Sequence, residues 1–136
     1  MKISSSAFKN SEEIPIKYSC RGENINPPLL ISQLPQSTES LALIVEDPDA
    51  PGNVYTHWLV WNIKIGICDS KLILENFNPD TSVVGRNSAG NISYIGPCPP
   101  FGVHHYFFRA YALDRLLPSN RELSKEGLKR QIKNPH

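Results

Sequence analysis

A chain of 136 residues is long enough for one domain with a sizeable core and too short for two. Its 14 Lys and Arg against 13 Asp and Glu give a formal net charge of +1, which removes the electrostatic footprint of a dedicated nucleic-acid or membrane-surface binder. Partners must be recognised by shape or at a local site.

Prolines are in excess: 12 in the chain is about 9%, against an average usage of about 5%. Spread from Pro15 to Pro135 outside any low-complexity block, they read as fixed turns between short elements. The segment Met1 to Ala7 has one Lys and no apolar run, so no signal peptide is expected. No window approaches the roughly 18 apolar residues of a membrane span, and the expected address is the cytoplasm. Cys20, Cys68 and Cys98 show no C-x-x-C spacing. They are read as reduced thiols, belonging neither to a disulfide framework nor to a zinc site. At a cytoplasmic address the sequon Asn91-Ile92-Ser93 carries no meaning.

In chain order, Lys2–Ala7 and Leu29–Ile31 are the first, weaker strand candidates. Leu41 to Val45 is a short apolar run ended by the turn-forming Asp47-Pro48-Asp49-Ala50-Pro51, a combination that favours a buried strand over a helix. Tyr55 to Ile63, rich in aromatic and branched residues, is a second strong strand. Lys71–Leu74 and Ser93–Ile95 are weaker candidates. The loop Gly96-Pro97-Cys98-Pro99-Pro100-Phe101-Gly102 is stiff, because three prolines fix φ and remove three donors. Its remaining N–H groups, at Gly96, Cys98, Gly102 and Val103, suit an anion nest, while the absence of Lys and Ser/Thr at the required offsets excludes a P-loop. His104 to Leu113 is the third strong strand. A helix follows, capped by Ser119 or Ser124, with Ser119-x-x-Glu122 fitting a capping box and Glu126 to Arg130 forming a favourable pair one turn apart. Residues 115–136 hold six basic and two acidic residues, a local +4 against −3 for the rest, read as a solvated basic helix face. Strands joined by irregular proline-rich connections predict one mainly β domain over residues 1–136. The predicted architecture is an antiparallel, Greek-key-like sandwich with a short peripheral helix near the C-terminus.

Side chains alternate across a strand, so Leu41, Leu43, Val45 and Asp47 are predicted to share one face. By the same period His57 is grouped with Leu59, Trp61 and Ile63, and His104 with Tyr106, Phe108, Ala110 and Ala112. Each strong strand thus ends an apolar face with a polar residue. If those ends meet, a carboxylate, two imidazoles and a phenol form a pocket. The carboxylate would favour the imidazolium and attract an anion, and the phenol would add a neutral donor. His105, on the opposite face, and His136, at the chain end, read as surface residues.

The combination of Asp47-Pro48-Asp49-Ala50-Pro51, Thr56-His57-Trp58-Leu59-Val60-Trp61-Asn62-Ile63, Tyr94-Ile95-Gly96-Pro97-Cys98-Pro99-Pro100 and Gly102-Val103-His104-His105-Tyr106 resembles the phosphatidylethanolamine-binding protein family. That family includes the Raf kinase inhibitor protein. Ala7-Phe8, Ile14-Pro15, Tyr18-Ser19-Cys20 and Asn24-Ile25-Asn26-Pro27-Pro28-Leu29 look like its bacterial and archaeal branch. The resemblance implies a large antiparallel sheet packed on a smaller one, and a surface pocket for phosphate, phosphoryl headgroups or similar anions. Residue by residue, it places Asp47, His57, His104 and Tyr106 in that pocket and makes Gly96, Cys98, Pro99 and Pro100 its loop. Cys98 stands where eukaryotic members usually have Gly. Asp49 and Pro51 match motif positions, Asp49 as a turn-bracing carboxylate, and Tyr55 is a further candidate for a pocket tyrosine. Relatives of this branch usually continue past Asn134-Pro135-His136 into a final strand, so either a truncated form or a homodimer that supplies the edge pairing is implied.

Three functions compete on this reading. The first is non-enzymatic binding of a small anionic or phosphoryl ligand that modulates a protein partner, such as a kinase, with no cofactor and no nucleic acid. The second is serine protease inhibition through an exposed loop. The third is hydrolysis by Asp47, His57 and His104, which lacks a Ser or Cys nucleophile in a convincing context. A metal site from His57, His104 and a carboxylate is a further, minor alternative.

Overall fold

The structure is a computed structural model that describes residues 1–50, 52–65, 69–78, 81–98, 104–120 and 122–133, with the side chain of Lys133 left out. Among the described residues, seven strands are present: β1 (Lys2–Ser4), β2 (Leu29–Ser32), β3 (Ser40–Asp47), β4 (Tyr55–Lys64), β5 (Lys71–Ile73), β6 (Val83–Val84) and β7 (Phe107–Leu113). A 3-10 turn spans Ile16–Tyr18, and the helix α1 spans Lys125–Lys133. Two antiparallel sheets result, one ordered β1-β2-β5 and one ordered β6-β4-β3-β7.

The larger sheet lies between two apolar cores, which explains why β3 is buried along its whole length. Leu41, Leu43 and Val45 join Leu29 and Ile31 of β2 and Ile73 of β5 in the core between the sheets. Ala42 and Ile44 point the other way, to Leu59 and Trp61 of β4, Leu117, and Leu128 of α1. An uninterrupted apolar run is what a strand covered on both faces requires. Each of these buried Leu, Ile and Val side chains contributes roughly 1.5–3 kcal/mol relative to exposure.

The pairing of β3 with β4 is interrupted twice, and each time β4 carries one residue more than β3. One extra residue falls between Val60 and Ile63, where Asn62 adopts a φ of 59°. Its amide is locked to Leu117 by two reciprocal hydrogen bonds of 2.8 Å. Beyond this bulge Ile63 belongs to the core between the sheets, whereas Leu59 and Trp61 lie under the helix. The predicted common face of His57, Leu59, Trp61 and Ile63 therefore does not hold, because an inserted residue inverts the alternation. The second extra residue is His57 itself, between the pairs Val45–Trp58 and Glu46–Thr56.

Ser124, not Ser119, caps α1: its hydroxyl oxygen accepts the Gly127 N–H at 3.0 Å. The basic residues of this helix are not simply solvated. Glu46, on the helix-facing side of β3, lies 3.3 Å from Lys125, 3.7 Å from Lys129 and 3.2 Å from Arg109 of β7. Burial alone would push the Glu46 carboxyl up, but these cations outweigh it and hold it below its ordinary value. The Ser93–Ile95 segment is not a strand; its backbone is engaged in isolated hydrogen bonds instead of a ladder.

Candidate functional site

Asp47 closes β3 at 3% exposure, and both of its oxygens are engaged. Oδ1 accepts the N–H of Asp49 at 2.8 Å, which tightens the Asp47-Pro48-Asp49 turn. Oδ2 accepts Nδ1–H of His104 at 2.6 Å, with both side chains largely buried. Asp49 does brace the turn, and its partner is His105. Its Oδ2 accepts the His105 backbone N–H at 2.8 Å and Nδ1–H at 2.7 Å. These bonds hold the Asp49 carboxyl below its ordinary value. Two carboxylates two positions apart thus hold two successive histidines, fixing the approach to β7.

His57 is 5% exposed and reaches the same place from β4 because of its bulge. Strict alternation from Leu59 would send it beneath α1. As the extra residue it instead sets its ring 4.9 Å from Tyr55 and 5.4 Å from Tyr106, centroid to centroid. Tyr106 in turn stacks on His104 at 6.4 Å, with the planes 21° apart. The predicted set of Asp47, His57, His104 and Tyr106 is therefore gathered, with Tyr55 beside it.

The tautomer of His57 follows from its partner, since Nδ1 lies 2.8 Å from the Ile95 carbonyl, which can only accept. Nε2 has no hydrogen-bond partner among the described residues. Burial lowers the pKa of His57, only partly offset by the Ile95 carbonyl and the Asp47 charge, so this imidazole is neutral near pH 7. The expected imidazolium is thus corrected at this position: desolvation outweighs the carboxylate. The Tyr106 phenol is pushed up to about 12, first by desolvation and then by Asp47 and Asp49, and stays a donor through the neutral range.

The segment 94–98 forms the wall that holds His57. Ile95 donates its N–H to the His57 carbonyl at 3.0 Å as well as accepting from its ring. The Tyr94 hydroxyl donates to the Tyr18 carbonyl at 2.9 Å, and the Gly96 N–H donates to Asn24 Oδ1 at 2.7 Å. Gly96 is needed for this approach, because a Cβ there would lie 2.1 Å from the Tyr18 carbonyl oxygen. Its donor is spent on Asn24 and is not free for the anion nest expected from the loop.

Cys98 is joined to Cys20 by a disulfide, with their Cα atoms 5.4 Å apart. The expectation of reduced thiols is corrected for this pair. The two cysteines lie 78 positions apart in sequence, and the docking of segment 94–98 on 18–24 brings them together. Pro51, Pro99 and Pro100 lie outside the described residues, as do Cys68, Gly102, Val103 and His136. Sequence reading missed His105 as the latch on Asp49, the Ile95 carbonyl and Asn24. The first had a signal, the doubled Asp-x-Asp and His-His spacing; a backbone carbonyl leaves none. Among the described residues no group of three or more His, Cys, Asp or Glu side chains is arranged to hold a metal ion. None of the helices there is long and apolar enough to cross a membrane.

The cluster presents an acceptor at His57 and a phenolic donor at Tyr106, beside His104 anchored on a carboxylate. The family profile described as phosphatidylethanolamine-binding protein matches residues 4–135. A UPF0098 protein of Methanothermobacter thermautotrophicus is 48% identical over 133 residues, covering 94% of this chain and 86% of the relative. Among solved structures, a homolog from Chlamydia trachomatis, CT736, superposes with a TM-score of 0.87 at 40% identity, covering 96% of this chain and 86% of that one. Escherichia coli YbcL, described as a new member of the mammalian family, gives a TM-score of 0.85 at 30% identity, covering 96% and 88%.

Proposed function

Since the chain belongs to the phosphatidylethanolamine-binding protein family, we propose that the Asp47, His57, His104 and Tyr106 cluster binds a phosphoryl group without turnover and that this binding modulates a partner protein. One observation carries the reading: each imidazole has its Nδ1 fixed on an acceptor, Ile95 O or Asp47 Oδ2, with the Tyr106 ring against both. Rings held in this way are pre-organised, so little ordering opposes ligand entry.

The protonation pattern narrows the ligand. With its proton on Nδ1, neutral His57 offers a lone pair at Nε2, which accepts from a P–OH or an ammonium group, while the Tyr106 hydroxyl donates to a phosphoryl oxygen. A protonated phosphate or a headgroup that carries its own donor satisfies both. Catalysis is not part of this proposal, because the Asp47, His57, His104 and Tyr106 set includes no Ser or Cys nucleophile.

The test is a titration with phosphate and with phosphoethanolamine, followed in the imidazole NMR signals. Perturbation of His57 and His104, weakened in His57→Ala, is the expected result; unmoved signals at millimolar ligand would remove the proposal. The same His57→Ala protein separates the protease-inhibitor alternative, which works through a loop and would leave inhibition of a chymotrypsin-like enzyme intact. Turnover of a phosphoester, abolished in His104→Ala, would instead establish the hydrolase.

A further inference from the structure

We propose that the Cys20–Cys98 disulfide is a redox-responsive clasp that sets the phosphoryl affinity of the cluster. The inference rests on the binding function proposed above and names its regulation. Cys98 is exposed and Cys20 half-buried, so the bond is open to a thiol reagent. It joins the two segments that hold the wall of the site. Along 94–98 the contacts to 18–24 come in sequence: Tyr94 hydroxyl to Tyr18 carbonyl, Gly96 N–H to Asn24, Cys20 N–H to Pro97 carbonyl, and then the disulfide. Between the first two lies Ile95, which holds His57 through both its N–H and its carbonyl.

The covalent tie therefore stands three residues from the carbonyl that fixes the His57 tautomer. Little slack exists between them. Pro97 fixes φ, and Gly96 lies so close to the Tyr18 carbonyl that even a Cβ would not fit. Without the disulfide, the hydrogen bond that ties the far end of the wall to the N-terminal segment among the described residues is the 3.2 Å one from the Cys20 N–H to the Pro97 carbonyl. Looser placement of Ile95 leaves the His57 ring less pre-organised, and ligand binding must then order it.

The reaction is thiol–disulfide exchange with a dithiol reductant. A reductant thiolate attacks Sγ of exposed Cys98, the Cys20–Cys98 bond breaks, and Cys20 leaves as a thiolate that takes up a proton. The second reductant thiol then displaces Cys98 from the mixed disulfide. Two electrons pass to the protein, which ends with two thiols, and the reductant ends as its disulfide. Linkage requires reciprocity: if the oxidised form binds phosphate more tightly, phosphate makes the disulfide harder to reduce by the same factor.

The test uses the full chain carrying Cys68→Ser, so that a single cysteine pair titrates, with inorganic phosphate as probe in buffers of oxidised and reduced dithiothreitol. Affinity is read from the His57 and His104 ring signals, and folding of each redox state is verified by circular dichroism at the same temperature. The oxidised protein is expected to bind phosphate about fivefold or more tightly than the reduced one, the lower end of ordinary coupling between sites. Saturating phosphate is expected to move the disulfide midpoint by about 20 mV or more to the negative side, that factor converted at about 30 mV per decade for two electrons. Equal affinity in both redox states with an unmoved midpoint would overturn the clasp and leave phosphoryl binding standing. Absence of phosphate binding in both states would overturn the two together. A Cys20→Ala/Cys98→Ala pair that folds and still binds like the oxidised protein would also overturn the clasp. So would a reduced chain that does not fold at any temperature, since the bond is then only a staple.

Discussion

His57 shows how one inserted residue positions a functional group. Buried, with its proton on Nδ1, it is expected to titrate below its ordinary value in the free protein. The unfolded chain then binds more protons than the folded one between the lowered pKa and about 6.5. Stability contributed by the neutral ring is complete above that range and lost as pH falls through it. A His57→Gln variant should therefore lose stability relative to wild type at pH 7 but less at pH 5, measured by denaturant unfolding. Phosphate binding should shift the His57 titration midpoint, read by NMR. Tyr106→Phe keeps the stacked ring and removes only the donor, so phosphate affinity should fall about tenfold, the worth of one hydrogen bond to a charged group, about 1.5 kcal/mol. Three of the four cluster residues were legible from strand phase, since Asp47 and Tyr106 continue the apolar faces of Val45 and Phe108, and His104 follows Tyr106. The phase that groups His57 with Leu59, Trp61 and Ile63 is invalidated by the bulges, and His57 reaches the cluster because of one of them.

At the scale of elements, α1 is held by its own Leu128, packed on Ala42, Ile44, Leu59 and Trp61 of the larger sheet, and by the Glu46 cation cluster beside it. Leu128→Ala should cost about 2–5 kcal/mol, the usual range for a fully buried leucine. Glu46→Gln removes the carboxylate that offsets Lys125, Lys129 and Arg109, and should cost about 2 kcal/mol at neutral pH. Because the folded Glu46 carboxyl lies below its ordinary value, that contribution is present above about pH 4.5 and lost as pH falls through the folded value. The gap between variant and wild-type thermal stability should accordingly narrow in acid. Strong periodicity made β3, β4 and α1 legible in the sequence. Two residues of β6 fall below any pattern, and the inward turn of Lys125 depends on a carboxylate 79 positions away, a pairing no local signal encodes.

Over the whole molecule, the larger sheet brings together the C-terminal end of β3 and the N-terminal ends of β4 and β7, and the disulfide ties the N-terminal segment to the 94–98 wall beside them. Closing a loop of this length, 78 residues, should stabilise the fold by about 4 kcal/mol through the entropy of the unfolded chain. Reduction should lower the melting temperature by roughly 15 °C, checked by calorimetry with and without reductant. The mainly β sandwich was legible from short strands and proline punctuation; the disulfide was not, because only the tertiary fold brings Cys20 to Cys98. The most direct test of the central claim is a crystal structure of the full chain grown with a saturating phosphomonoester. Phosphoryl oxygens are expected within hydrogen-bond distance of the Tyr106 hydroxyl and His57 Nε2. A phosphoryl group ordered elsewhere, with this cluster filled only by water, would contradict it.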